Sequence, residues 1–339
     1  ILNRQVVLAR RPGGYPEYED FQVTESALPA IAQGQFATRN LYLSLDAGFR
    51  NWMNETSEDN ILPAFELGAP VMGLAFSRVI ESRNPDYAVG DLLMARLAWE
   101  EYSVSDGGEF IVKLPSDLEF PYSYYLGILG DTGMSAYFGL VDIGKPKAGE
   151  TVLISAAGGA VGSVAGQIAK ILGAKTVGIT SSASKCRRLI DELGYDVAVN
   201  RKSADGIEAA IAAACPDGID VYFDSVGGET LQAAIANLKT GARVALCGSI
   251  THYNAAEPAP GPNNLFELVT KEALMQGFMT HHRVDRYPEA REQLARWIAE
   301  GKLNNIEYML EGIENAGVAF CDLFAGRNFG KTVVKLSDD

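Results

Sequence analysis

The chain has 339 residues, 47% of them hydrophobic, with 43 acidic against 29 basic side chains and a formal charge of -14. That length and apolar content suit two domains with real cores, and the acidic surplus excludes nucleic acid or an anionic membrane as partner, because no basic excess meets the phosphates. No apolar run approaches a membrane span and the N-terminal stretch lacks the apolar region of a secretory signal, so the expected location is the cytoplasm.

Up to about residue 120 the sequence is β-rich. RQVVLARR, DFQVTESAL and GQFATRNLYLSLD are short, β-branched or aromatic, and separated by Pro and Gly. VMGLAFSRVIES follows, then NPDYAVGDLLMAR with its Pro-Asp and Gly-Asp turns, then WEEYSVSDGGEFIVKLP as strand, loop and strand. Many short strands at about ten-residue spacing predict a barrel or sandwich. From Pro121 the segment YSYYLGILGDTGMSAYFGLVDIG is apolar and aromatic, and predicts two helices around positions 130–133.

Beyond Lys147 the rhythm becomes strand–helix–strand. TVLISAA, KTVGITS, DVAVN, GIDVYFDSV and ARVALCG read as strands, with helices over 161–172, SASKCRRLIDELG, ADGIEAAIAAAC and GGETLQAAIANLK between them. Apolar strands alternating with helices predict a parallel sheet covered on both faces. A Pro-rich loop, SITHYNAAEPAPGPNN, leads to a helix near Asn264, a strand-like LMQGFMT, the helix YPEAREQLARWIAEG and a last strand, GKTVVKL, expected to return to the first domain.

In the turn SAAGGAVGSVAG, Ala156, Gly159 and Gly162 give an AxxGxxG spacing between a strand and an amphipathic helix. A dinucleotide pyrophosphate needs such a tight turn, close backbone approach and the open N–H groups of a helix start. The plain alternative is a tight strand-to-helix turn; the flanking elements favour the cofactor site. The next strand ends in Thr180, Ser181 and Ser182 with no carboxylate for a ribose hydroxyl, and Lys185, Arg187, Arg188 and Arg201 follow. Hydroxyls and cations suit a 2′-phosphate, hence NADP, although a solvated helix face gives the same pattern.

The four cysteines, at 186, 215, 247 and 321, fit neither a disulfide framework nor a metal knuckle, and the only histidines are His252, His281 and His282. No metal is expected. Cys247 reads as a small buried hydrophobe, Asp224 as a turn residue, and His252 fits cleft lining and loop packing equally.

Further motifs run nearly end to end: Arg11-Pro12-Gly13 with Pro16, LYLSLDAGFR at 41–50, GILGDTGMSAYFGLVDIG at 127–144, AAGGAVGSVAGQIAKILGAK, GIDVYFDSVGGE, GARVALCGSITHYN and GRNFGKTVV. In this ordered set the chain resembles the zinc-free medium-chain dehydrogenase/reductase superfamily, in the branch of prostaglandin and leukotriene reductases, plant 2-alkenal reductases and bacterial curcumin reductase. The resemblance implies an α/β protein: a Rossmann doubly wound parallel sheet over 125–305, and a GroES-like β-rich catalytic domain over 1–124 to which 306–339 returns. It implies that Gly159, Ala160, Val161 and Gly162 hold the pyrophosphate, that Lys185 and Arg201 bind the 2′-phosphate of NADP, and that Ser225 stands where animal relatives have Asn. Cys247, Gly248, Ser249, Ile250 and Tyr253 would border the nicotinamide and its ribose, and Phe278, Met279, Thr280 and Asn328 would complete the cofactor contacts. The family's DPYMR and GMPG segments, which border the substrate cleft in the relatives, read here as Asp46-Ala47-Gly48-Phe49-Arg50 and Gly130-Asp131-Thr132-Gly133.

The implied reaction is NADPH-dependent reduction of the carbon–carbon double bond of an α,β-unsaturated ketone or aldehyde, by hydride transfer to the β-carbon. Tyr253 is the catalytic candidate for polarising the carbonyl, unless it only packs on the cofactor. Phe49, Thr132, Met134 and Tyr253 would face a small apolar enone, enal or quinone substrate. Reduction of a quinone or a carbonyl on the same fold is the alternative, a non-catalytic NADPH-binding protein is a third reading, and the resemblance implies a homodimer.

Overall fold

β-branched and aromatic residues write the N-terminal part as strands, and the computed structural model, which describes residues 1–57, 61–254 and 260–337, places them in the first of two units. That unit comprises Ile1–Gly127 and Glu307–Asp339. Leu2–Leu8 pairs antiparallel with Phe21–Ala27. A seven-stranded sheet runs in the order Glu307–Glu311, Lys331–Lys335, Phe36–Ser44, Met72–Ser82, Leu92–Ala98, Ile111–Leu114, with Tyr102–Ser105 beside Phe36–Ser44 off that path. Its core is aromatic: Phe36, Phe76, Trp99 and Phe320 are fully buried, Trp99 packing on both Phe21 and Phe320. Each such side chain contributes about 1.5–3 kcal/mol by leaving water.

The last strand lies antiparallel to Phe36–Ser44 with Val334 opposite Leu43. Two neighbouring elements escaped the sequence reading. Strand Glu307–Glu311 has a carboxylate at each end, which hides its apolar residues, and helix Ala316–Ala325 is apolar nearly all round, so no stripe marks it.

The second unit, Ile128–Ile306, holds α1 (Asp131–Phe138), β1 (Thr151–Ile154), α2 (Ala160–Ile171), β2 (Lys175–Thr180), α3 (Ala183–Leu193), β3 (Val197–Asn200), α4 (Ile207–Ala214), β4 (Ile219–Asp224), α5 (Gly228–Ala236), β5 (Leu238–Leu246) and β6 (Leu274–Gly277). The strands are all parallel in the order β3-β2-β1-β4-β5-β6. This is a Rossmann order, reversing direction between β1 and β4. Leu153, Val177, Tyr222, Ile211 and Ile235 from strands and helices form one core.

Two expectations need correction. The residues before 130 form only one helical turn, Tyr122–Tyr125, and α1 starts at Asp131 with Gly130 extended as its cap; glycines 130 and 133 open a helix and do not separate two. The expected strand LMQGFMT pairs only through Gly277, so Phe278, Met279 and Thr280 leave the sheet edge. Positions 255–259 of the Pro-rich loop lie outside the described residues.

Candidate functional site

β1 ends at Ile154 and the chain turns sharply before α2. Ala156 adopts φ 47°, a left-handed conformation normally left to glycine and costing an alanine about 1–2 kcal/mol. The turn keeps its geometry without its first glycine. At Gly162 no such exchange is open, since a Cβ there would stand 2.4 Å from Ala156 O. Gly159 caps α2 without a side-chain bond, so the N–H groups of Ala160, Val161 and Gly162 have no partner within the helix. Open donors at the positive end of a helix dipole fit a diphosphate.

Tyr195 supports this turn, and sequence reasoning missed it. Its hydroxyl donates to Gly162 O at 2.7 Å, and its ring occupies the space beside Gly166, where a Cβ would meet it at 2.0 Å. The signal was the run of small residues along α2, legible only once the ring that fills it is placed.

At the carboxyl end of β2, Ser182 caps α3 by accepting the Lys185 N–H at 3.2 Å. The Lys185 ammonium is half-buried and has no carboxylate in ion-pair range among the described residues; burial, then Arg188, lowers its pKa. An ammonium held in this state gains from an incoming anion. Arg201 is exposed, and its N–H donates to Thr180 O at 2.9 Å, which brings the ends of β2 and β3 together. Arg188 is committed elsewhere, to Glu192 one turn on.

Asp224, the last residue of β4, is fully buried and organises the neighbouring turn. Its Oδ1 accepts from Ser155 Oγ at 2.9 Å, from the Tyr222 hydroxyl at 2.6 Å and from Val226 N–H at 3.0 Å, while Oδ2 accepts from Gly227 N–H at 3.0 Å. Ser155 Oγ in turn accepts from Ser225 N–H at 2.8 Å. With every oxygen engaged, Asp224 is a turn residue, as its sequence context indicated. Among the described residues the buried Ser225 hydroxyl has no nitrogen or oxygen hydrogen-bond partner, a polar atom left over at the strand end where a ligand hydroxyl could meet it.

Beyond this turn lies a cavity of about 620 Å³ at the carboxyl ends of β4, β5 and β6. Asp224, Gly227, Leu231, Leu246 and Pro262 form part of its wall, together with Cys247, Gly248, Ser249, Tyr253, Phe278 and Met279 from the sequence-based set. His252 and His282 also line it. Tyr253 Oη accepts the Ser249 N–H at 3.1 Å, which leaves the phenol proton to donate, and burial pushes the phenol pKa above its ordinary value. Burial, then the Asp131 charge, pushes the Cys247 thiol up to about 12, so it stays protonated and unreactive at neutral pH.

The remaining candidates are not part of this wall. Thr280 donates to Asp131 Oδ1 at 3.0 Å, and Tyr287 donates to the same oxygen at 2.8 Å. The carboxylate that departs from the family's GMPG is therefore partnered within its own unit at the start of α1. Thr132 and Met134, on α1, are buried. In the first unit, Phe49 is buried edge-on against Trp52, and Asn328 donates to Gly330 O at 3.3 Å. Arg50, also buried, is held by Gly14 O, Pro12 O and Asn54 Oδ1.

Family models match two stretches: one described as the N-terminal domain of oxidoreductases over residues 4–113, the other as zinc-binding dehydrogenase over 160–300. Among the described residues no three His, Cys, Asp or Glu side chains come together to hold a metal ion. The chain is 39% identical over 345 residues to an NADPH-dependent curcumin reductase of Escherichia coli, covering 99% of this chain and 98% of that protein. It is 39% identical over 340 residues to the NADP-dependent 2-alkenal reductase of Nicotiana tabacum, again covering 99% and 98%. The solved structure of CurA from Vibrio vulnificus in complex with NADPH superposes with a TM-score of 0.91 at 38% identity, over 99% of this chain and 100% of that one.

Proposed function

The chain belongs to the zinc-free medium-chain dehydrogenase/reductase family, and from that premise we propose that it is an NADPH-dependent reductase of the double bond in α,β-unsaturated ketones and aldehydes. The observation that carries the reading is the cavity wall, largely apolar with one phenol whose oxygen is already occupied by the Ser249 N–H and whose proton is left to donate. Reduced nicotinamide, when bound, supplies the hydride that adds at the β-carbon. The Tyr253 hydroxyl donates to the carbonyl oxygen as negative charge develops there. Leu231, Leu246 and Phe278 exclude water and accept an apolar substrate.

On this reading Gly159, Ala160, Val161 and Gly162 bind the diphosphate, and Lys185 and Arg201 bind the 2′-phosphate. Ser225, residues 247–250, Tyr253 and Phe278–Thr280 border the rest of the cofactor. Asn328 bears on the cofactor too, and Phe49, Thr132 and Met134 on the substrate. Residues 1–124 and 306–339 are then the catalytic part and 125–305 the cofactor-binding part.

A homodimer is supported by β6, which among the described residues pairs on one side only, with β5. Phe266 (74% exposed) and Val269 (66%) on the preceding helix, and Leu274 (53%) on β6 itself, are exposed apolar side chains that a second copy would cover. Among the described residues no helix is long and apolar enough to cross a membrane. The four free thiols support a reducing compartment such as the cytoplasm.

The test is an anaerobic screen of NADPH and NADH oxidation against enones, enals, nitroalkenes and quinones, with product identification. A saturated ketone or aldehyde is the expected product. A quinol or allylic alcohol as the only product would replace this reading with quinone or carbonyl reduction.

A further inference from the structure

We infer that His252 is the acid that delivers the proton of the reduction to the α-carbon, and that Ser249 is the residue positioning it; this rests on the double-bond reductase reading above.

Ser249 caps the short helix Ile250–Tyr253, yet its hydroxyl does not bond the helix backbone. It is hydrogen-bonded to His252 Nδ1 instead, while its N–H donates to Tyr253 Oη. The i, i+3 and i+4 spacing of a helical turn lets one residue hold both neighbours. Gly227, with φ 73°, supplies the room, because a Cβ there would stand 2.3 Å from Ser249 Oγ. Gly227 is itself held by Asp224 through its N–H.

The partners of the ring are two hydroxyls on one nitrogen. Thr251 Oγ1 donates to Val226 O at 2.6 Å, so toward His252 Nδ1, 3.5 Å away, it offers only a lone pair. With Nδ1 held by these hydroxyls, Nε2 is the ring nitrogen without a hydrogen-bond partner among the described residues, and it is the one that delivers the proton. The other titratable groups on the same wall are Asp224, Cys247, Tyr253 and His282. Asp224 has its oxygens occupied, the thiol and phenol hold their protons, and His282 has no side-chain hydrogen bond among the described residues to orient it. His252 is the acid–base side chain on this wall that a neighbouring hydroxyl orients and that has a nitrogen left to transfer a proton.

Once hydride has added at the β-carbon, the electron pair of the double bond moves onto the carbonyl as an enolate, whose oxygen accepts from Tyr253. The enolate then takes the proton at its α-carbon. The Nε2–H bond breaks, its electron pair stays on nitrogen, a C–H bond forms and the neutral imidazole regains a proton from water. The product is the saturated ketone.

The test uses 2-methyl-2-cyclohexen-1-one with NADPH in D2O, quenched early, and reads both kcat and the configuration at the deuterated α-carbon. Wild type is expected to set one configuration, with kcat falling as the imidazole loses its proton. H252Q is expected to lose about 10²-fold in kcat, to lose that alkaline limb and to give both configurations, with its NADPH dissociation constant unchanged. S249A is expected to move the His252 imidazole titration followed by NMR in cofactor-free protein. Retention of the wild-type configuration and pH profile by H252Q would overturn the assignment while leaving double-bond reduction intact. A wild-type enzyme that forms no saturated ketone from any enone overturns the underlying reading, and His252 with it.

Discussion

The Ser155 hydroxyl donates to Asp224 Oδ1 at 2.9 Å, joining the carboxyl ends of two adjacent parallel strands that stand 69 positions apart in the chain. These are β1 and β4, between which the strand order reverses. The bond locks the crevice in which such sheets bind ligands. Asp224→Ala leaves Ser155, Tyr222 and two backbone N–H groups without their acceptor, and is expected to destabilise by about 3–5 kcal/mol. Asp224→Asn, which still accepts, costs less. Urea unfolding separates the two, and equal losses would show that the carboxylate does not anchor the turn.

Ala156 carries the opposite expectation. Glycine relieves the left-handed strain at φ 47°, worth about 1–2 kcal/mol, and adds about 0.4–1 kcal/mol of unfolded-state entropy. Ala156→Gly should therefore stabilise slightly, by about 0.5 kcal/mol, visible as a small rise in Tm. A clear fall would mean that the alanine methyl packs favourably enough to outweigh its backbone strain.

On the proposed reading, cofactor choice rests on two cations. Lys185→Ala is expected to weaken NADPH binding about 10- to 100-fold and to leave NADH binding unchanged, because only the 2′-phosphate differs. Arg201→Ala acts in the same direction with a smaller effect, since its exposed charge is screened by salt. Fluorescence titration with both cofactors reads this directly, and equal losses for NADH would remove the 2′-phosphate role.

On the proposed reading, Tyr253→Phe removes the donor aimed at the developing oxyanion. The expected result is a fall in kcat of about 10²-fold with little change in NADPH affinity. Because burial raises the wild-type phenol, its donor role should persist past the pH at which an exposed tyrosine ionises. An unchanged kcat in the variant would leave Tyr253 as packing only.

Stability should fall on the alkaline side. Burial pushes Cys215 up to about 11 and Cys247 and Cys321 up to about 12, and it raises the Tyr195, Tyr222 and Tyr287 phenols as well. Unfolded thiols ionise from about pH 8.5 and phenols from about pH 10. Above those values the unfolded chain binds fewer protons than the folded one, so stability is complete below about pH 8.5 and is lost as pH rises toward the folded values. The urea midpoint should be level from pH 7 to 8 and decline by pH 10. A level midpoint throughout would mean that these groups ionise without unfolding.

Legibility tracked the range of the interactions. Strand, turn and helix around Ala156, Gly159 and Gly162 depend on neighbours in sequence, and the alternating apolar runs declared a parallel sheet. The role of Tyr195 was hidden because its partners, Gly162 and Gly166, lie on a different element. Ser249 was read as one position in a cofactor loop; its double hold on His252 and Tyr253 needed the actual turn of helix. Glycines 130 and 133 misled because local propensity treats glycine as a break, whereas here the chain begins a helix among them.

Composition, periodicity and glycine spacing by themselves determined a two-part α/β protein with a tight glycine-bearing strand-to-helix turn, since these follow from local backbone preference and residue chemistry. Only the tertiary structure decided where the Asp131 carboxylate finds its partners, Thr280 and Tyr287, the nearer of them 149 positions away. It also decided that His252 and His282 share one cavity. Hydrogen bonds and cavities form between residues that the sheet order brings together, and no local pattern in the chain records that order.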